Sequence, residues 1–213
     1  LPADYRRFMT NPLNVAYGAS GVALFLKRTR KEVPDALVDA LVQASGKMKE
    51  GSHAPGLYVG SSGVAWTLLE LGRREEAEAL MEITVKSPLL YENADMFYGA
   101  AGFGLTNLFF FEKLGDERYL KNAIDAFAPI KQKLVKNRGG YSYENTDAIY
   151  HGLLHGASGI AYFLLRLYGL TRQEEHGDVA RGLFDFELAS AEERDGGTVV
   201  YRRSVDENMY YPY

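Results

Sequence analysis

The 213 residues carry 24 Lys and Arg against 28 Asp and Glu, a formal charge of −4, with 46% hydrophobic residues, 13% aromatics and no Cys. That composition supplies a core and excludes wholesale disorder, and without a basic block to neutralise phosphates nucleic acid is not an expected partner. The missing Cys rules out a disulfide, a thiolate metal site or a cysteine nucleophile within the chain, which fits a cytoplasmic location.

The chain opens Leu1-Pro2-Ala3-Asp4, with neither Met nor a signal-peptide pattern, and reads as cut from a longer chain. One phrase then returns four times: Tyr17-Gly18-Ala19-Ser20-Gly21, Tyr58-Val59-Gly60-Ser61-Ser62-Gly63, Tyr98-Gly99-Ala100-Ala101-Gly102 and His155-Gly156-Ala157-Ser158-Gly159. The first glycines, Gly18, Gly60, Gly99 and Gly156, step by 42, 39 and 57 residues. Each phrase opens an apolar helical run, stopped near Gly72, Gly115 and Gly169 in the last three copies. These helices are expected to be buried because they are apolar on most sides. Between them Pro34 to Met48, Arg73 to Lys86, Asp116 to Val135 and Thr171 to Ala191 mix charges with one apolar stripe. Asp116 reads as an N-cap, Thr171 with Glu174 as a capping box, and Pro129 as a kink. Thr198 to Tyr201 reads as a short strand or extended loop. The alternation predicts an all-α array of inner and outer helices in an arc or ring, without a spanning segment: even Leu105 to Phe111 is too short for a bilayer.

The paired glycines Gly18/Gly21, Gly60/Gly63, Gly99/Gly102 and Gly156/Gly159 lie at i, i+3. Removing Cβ from one helical face lets a neighbouring helix or the chain's own loop approach closely, and close inner-helix packing is the expected use. No Gly-Lys-Ser/Thr follows, so a phosphate cradle is a poor alternative.

Two copies break the pattern. Asp95 stands four residues before Gly99, either as an N-cap or as a functional carboxylate. His151 and His155 precede Gly156; at i, i+4 they would share a helical face, but a pair without a third ligand makes a weak metal site. His53, in a Gly-Ser-His-Ala-Pro-Gly loop, and His176 on an outer helix read as solvated. A toroidal glycosidase would pair Asp95 with Glu144 or Asp147 across a cleft.

Gly56-Leu57-Tyr58-Val59-Gly60-Ser61-Ser62-Gly63-Val64-Ala65, Asp95-Met96-Phe97-Tyr98-Gly99-Ala100-Ala101-Gly102 and His155-Gly156-Ala157-Ser158-Gly159-Ile160 resemble the repeats of the lanthionine synthetase C-like cyclase family over most of the chain. The resemblance implies an α/α toroid that closes thioether rings in ribosomal peptides by adding Cys thiols to dehydroamino acids. It places the active-site aspartate on Asp95 and the active-site histidine on His155, with Tyr98 and His151 as supporting candidates. Many members bind zinc through two Cys and one His, and this chain has no Cys; it also stops at about two-thirds of a ring. Either the C-terminal repeats that would hold the metal are missing, or the chain resembles the zinc-free cyclase domains attached to kinase and lyase domains in larger synthetases. The second is preferred for the chemistry, with truncation as well, because Pro212-Tyr213 resembles the start of the Pro-Tyr stretch of those domains. The expectation is therefore one partial cyclase domain over 1–213, with no metal of its own and a precursor peptide as substrate. A non-catalytic peptide-docking scaffold is the alternative outside enzymology.

Overall fold

The computed structural model describes residues 11–30, 32–137, 139–144, 148–194 and 197–206. The inner helices are α1 (Ala19–Arg30), α3 (Ser61–Glu70), α5 (Ala100–Leu114) and α8 (Ala157–Thr171). The outer ones are α2 (Asp35–Ser45), α4 (Arg74–Thr84), α6 (Glu117–Asp125), α7 (Phe127–Gln132) and α9 (Glu174–Ala189). Each inner helix packs on the next, α1 on α3, α3 on α5 and α5 on α8, and each carries its outer partner, as α3 carries α4 and α8 carries α9. This is the layered α/α arrangement of a toroid, drawn as an arc. Its core is the inner layer: α5 buries every residue from Ala100 to Phe110. Trp66 stacks on Phe109 with ring centroids 3.9 Å apart, tying α3 to α5. Gly104 lets the Phe163 ring of α8 lie directly on the α5 backbone, where a Cβ would overlap it.

The two inner helices at the ends of the arc are not buried all round. Val22 and Phe25 on α1 are 53% and 63% exposed, and Leu165 on α8 is 50% exposed. Each has an inner neighbour on one side, so apolar residues on its far side are left bare.

Local chemistry moved several boundaries. Asp116 caps α6 as expected, its carboxylate accepting the Arg118 N–H at 2.9 Å. The expected Asp116–Val135 helix breaks at Ala126, three residues before Pro129, which cannot donate a helix hydrogen bond. It ends at Gln132, and the chain turns into a hairpin of β1 (Leu134–Asn137) and β2 (Gly140–Tyr143), paired antiparallel from Leu134↔Tyr143 to Asn137↔Gly140. Gly115 ends α5 at φ 69, a left-handed cap that glycine takes without strain. Gly169 does not stop α8; the helix continues to Thr171 and ends on Arg172 at φ 55. The expected capping box therefore does not form: the Thr171 hydroxyl donates back to Leu167 O at 2.9 Å, and Gln173 takes the N-cap of α9. Thr198–Val200 does form a strand, β4, antiparallel to β3 (Glu192–Arg194). Among the described residues no helix is long and apolar enough to cross a membrane.

His176 is buried (2% exposed), not solvated, with its ring edge-on to Phe127. His53 is half-buried and bonds Ser52 Oγ at 2.7 Å. Burial lowers the pKa of both, and for His176 the Glu175 carboxylate opposes the shift. The folded protein therefore holds these rings neutral at pH values where the unfolded chain takes up protons. Stability should fall as pH drops below the ordinary histidine value of 6.5. His176→Phe keeps the ring contact and cannot titrate, so it should flatten the slope of melting temperature between pH 7 and 5, each kcal/mol of linkage reading as about 2–4 °C. An unchanged slope would show that His176 is not a source of the acid sensitivity.

Candidate active site

The glycine phrases solve a local problem, and the solution builds the site. The first N–H groups of a helix lack partners within the helix. Gly60, Gly99 and Gly156 stand at the N-caps of α3, α5 and α8 without any side-chain cap bond. In the first three copies the partners come from the chain seven residues back: Ala19 N–H donates to Pro12 O at 2.9 Å, Ser61 to Ala54 O at 2.9 Å and Ala100 to Asn93 O at 2.9 Å. A loop that folds this tightly onto its own helix runs through the space a Cβ would need. At Gly21, Gly63, Gly102 and Gly159 an added Cβ would overlap the carbonyl oxygen six residues back, that of Val15, Leu57, Met96 and Leu153. Gly18, Gly60, Gly99 and Gly156 are closed off in the same way by their own loops. The repeated glycines thus serve loop closure rather than the helix-on-helix packing expected of them.

The four loops then hydrogen-bond side by side. Val15 and Ala16 N–H donate to Tyr58 O, Leu57 N–H to Met96 O, Tyr58 N–H to Phe97 O, and Phe97 N–H to Leu154 O, at 2.9 to 3.3 Å. Asp95 and His155, 60 residues apart, are brought together at this end of the arc, with His155 Nδ1 2.9 Å from Asp95 Oδ2.

Asp95 fills both roles open to it. It is fully buried, and its Oδ1 accepts the Tyr98 N–H at 2.7 Å. Asn14, four residues before Gly18 as Asp95 is before Gly99, makes the same bond to the Tyr17 N–H at 2.7 Å. The loop turn therefore needs only one oxygen. The carboxylate supplies a second, and that one holds the imidazole. With Nδ1 committed to Asp95, Nε2 is the nitrogen left for substrate, on a side chain 31% exposed.

Aromatic rings frame the imidazole. Phe97 lies 4.6 Å from it, Tyr98 5.6 Å and Tyr150 5.9 Å, centroid to centroid. Tyr58 in turn stacks on Phe97. Tyr98 is thus beside His155 as expected, while Phe97 and Tyr150 were not singled out from the sequence; Phe97 and Tyr98 stand within the glycine phrase, which was the available signal.

His151 goes elsewhere. Residues 151–155 form a loop ahead of α8, so the shared helical face does not exist. His151 is buried, with Nδ1 2.9 Å from Glu187 Oε2 of α9 and its ring stacked on Phe186. Glu187 was missed. Its sequence signal was a carboxylate on the buried stripe of α9, four residues after Leu183 and seven after Ala180. A cavity of about 350 Å³ lies against this pair, lined also by Ser158, Phe184, Leu188 and Tyr201.

The residues present do not fit a zinc ion. The chain has no Cys, its two neighbouring histidines serve different carboxylates, and among the described residues no three of His, Asp and Glu gather as a metal would require. Nor does Asp95 suit a glycosidase dyad: it is sealed from solvent while Glu144 is exposed, and Asp147 and Pro212-Tyr213 lie outside the described residues.

Comparison with known proteins bears on the family and the fold. A probable SapB synthase of Streptomyces coelicolor (strain ATCC BAA-471 / A3(2) / M145) is 28% identical over 200 residues, covering 93% of this chain and 21% of the relative. A solved structure of nisin cyclase superposes with a TM-score of 0.59 at 16% identity, covering 83% of this chain and 58% of that one, and so shares the fold. The chain thus spans about a fifth of the synthase and over half of the cyclase. Residues 10–211 match the family described as lanthionine synthetase C-like protein, and the chain belongs to that family.

Proposed function

We propose that this chain closes thioether rings in a ribosomally made peptide, adding Cys thiols to dehydroalanine or dehydrobutyrine residues. The observation that carries this reading is the His155–Asp95 contact of 2.9 Å, with Nε2 of the imidazole left toward a partly open face. A free cysteine thiol is only about 3% ionised at pH 7, so its addition needs a base. His155 Nε2 takes the thiol proton as the sulfur approaches the β-carbon. The sulfur electron pair forms the C–S bond, and the C=C π pair moves onto the adjacent carbonyl as an enolate. The imidazolium then returns its proton to the α-carbon. One S–H and one C=C π bond are consumed, one C–S and one C–H bond form, and His155 ends as it began. Imidazole suits both transfers because it exchanges protons in either direction near neutral pH.

Asp95 fixes the ring by holding Nδ1 and balances the positive charge as the imidazolium forms. Its burial keeps that orientation rigid. Tyr98, beside the ring, is proposed to donate a hydrogen bond from its hydroxyl to the enolate oxygen. No step runs through a metal, since among the described residues the donor set for one is lacking; a zinc site would need Cys and His ligands from further repeats of a longer chain. In keeping with its covering a fifth of the synthase, the domain would work within a larger synthetase, beside kinase and lyase domains.

The test is substrate turnover by the full-length protein. Given a dehydrated, Cys-containing precursor peptide, it should remove free thiols faster than the uncatalysed reaction, read by alkylation and mass spectrometry, and should release no sugar from oligosaccharides. Thiol loss at the uncatalysed rate would leave the chain as a docking scaffold.

A further inference from the structure

The fourth loop is anchored differently from the others. In the first and third copies the second N–H of the inner helix is satisfied by a loop carbonyl: Ser20 N–H donates to Leu13 O and Ala101 N–H to Ala94 O, both at 3.1 Å. In the fourth copy the matching donor is Ser158 N–H, and its acceptor is a side chain from another helix, Glu187 Oε1, at 3.1 Å. Gly152, turned to φ 90, directs its own N–H onto the same oxygen at 2.9 Å. The other carboxylate oxygen holds His151 Nδ1 at 2.9 Å. One buried carboxylate therefore grips the loop at residues 151, 152 and 158, on both sides of His155. The position is favourable, because a carboxylate at a helix N-terminus meets the positive end of the helix dipole.

We infer that Glu187 is a positioning residue for His155: it replaces the loop carbonyl that anchors the first and third copies and so sets where the imidazole meets Asp95. The substitution has a structural reason. The loop that carries His155 has its backbone turned at Gly152, and an N–H stands against the anchor where the first and third loops present a carbonyl. An acceptor from outside the loop is then required, and the Glu187 carboxylate meets both N–H groups with one oxygen and His151 with the other. Backbone pairing supports the segment as well: His151 N–H donates to Arg203 O at 3.1 Å, Val205 N–H to Ile149 O at 3.0 Å and Phe97 N–H to Leu154 O at 3.1 Å. The first two secure the strand-like approach, residues 149–151, and the third ties Leu154 to the neighbouring loop, while Gly152 itself donates to Glu187. From α9, Glu187 supplies these hydrogen bonds to the loop and Phe186 stacks on the His151 ring. As an effect on ring closure, this rests on the proposed cyclase reading; as an effect on His155 geometry, it does not.

The experiment uses the full-length protein in three forms: wild type, Glu187→Ala and Glu187→Gln. The amide of Glu187→Gln keeps an oxygen for Gly152 and Ser158 while removing the charge. The first readout is the ¹⁵N signals of the His155 side chain, assigned by their loss in His155→Ala, which report the tautomer and the hydrogen bond to Asp95. In Glu187→Ala these signals should shift or broaden; in Glu187→Gln they should stay near wild type. The second readout is ring closure, where Glu187→Ala should lower kcat by roughly 100-fold with a smaller change in KM, and Glu187→Gln should recover most of it. If Glu187→Ala does not fold, Glu187→Asp, which keeps the charge but withdraws the oxygens from the loop, takes its place with the same expectation. Unmoved His155 signals in a folded Glu187→Ala or Glu187→Asp protein would overturn the proposal. So would a wild-type rate of ring closure in either. If the wild type closes no rings yet its His155 signals move on substitution, the cyclase reading fails and the positioning role stands.

Discussion

Replacing His155 by Ala should slow ring closure by about 10²–10⁴-fold while leaving dehydration of the peptide intact. The range is that of a single positioned acid–base group, and the geometry gives His155 that position: one nitrogen is held 2.9 Å from a sealed carboxylate and the other is left for substrate. His155→Asn should be nearly as harmful, since it keeps polarity but cannot carry the proton. Asp95→Asn tests the partner. The new amide oxygen can still accept the Tyr98 N–H, so the loop turn survives as it does at Asn14. The amide NH₂ must then donate to His155 Nδ1, which moves the imidazole proton to Nε2 and removes the base from the substrate side. A loss on the order of 100-fold with an unchanged melting temperature is expected. Rates are read by thiol alkylation and mass spectrometry against the uncatalysed reaction. Cyclisation by His155→Ala at the wild-type rate with the correct ring pattern would make the histidine structural.

The largest stability effect is expected at the second glycine of a phrase. Gly63→Ala puts a Cβ into the Leu57 carbonyl oxygen and beside the Val15 side chain. Both the helix and the loop that would have to part are tied by backbone hydrogen bonds, so relief is costly. Overpacking of this kind against backbone should cost at least about 2–3 kcal/mol. That is a large share of the roughly 5–15 kcal/mol typical of a domain. The comparison is Gly169→Ala, an exposed helical glycine of α8 with nothing within 4 Å of its would-be Cβ. There helix propensity alone decides, and alanine should stabilise by about 1 kcal/mol. Chemical denaturation of the two variants should therefore give opposite signs. Equal and small effects would mean that the loops yield and that the glycines are not what closes them.

The sequence conveyed most where the physics is local or periodic. A 3.6-residue apolar pattern reported the inner helices, and a single apolar stripe reported the outer ones. The Asp116 cap needed no more than its own neighbours. Reading failed where a distant group decided. The Leu134–Tyr143 hairpin is held against α9, where the Gly140 backbone approaches Gly182, and nothing near Asn137 announced that contact. His176 looked solvated because its segment is charged, yet its own face turns onto Phe127. His151 and His155 shared a face only on the assumption of a helix, and the loop that forms instead sends them to different carboxylates.

The sequence by itself determined the layered helical array and the family, and it singled out Asp95 and His155, which the fold brings into contact. Those follow from recurrence: four phrases in order mark four equivalent loops, and a residue that departs from the phrase stands out against the other three. Tertiary structure alone decided what the glycines are for and what holds the histidine. A missing Cβ reads the same whether a helix or a loop fills the space, and only the folded backbone puts the carbonyl of Leu57 against Gly63. Glu187 belongs to no phrase and lies 32 residues beyond His155, so its role exists only because α9 packs on α8 and points a carboxylate at a loop that has turned its own acceptor away.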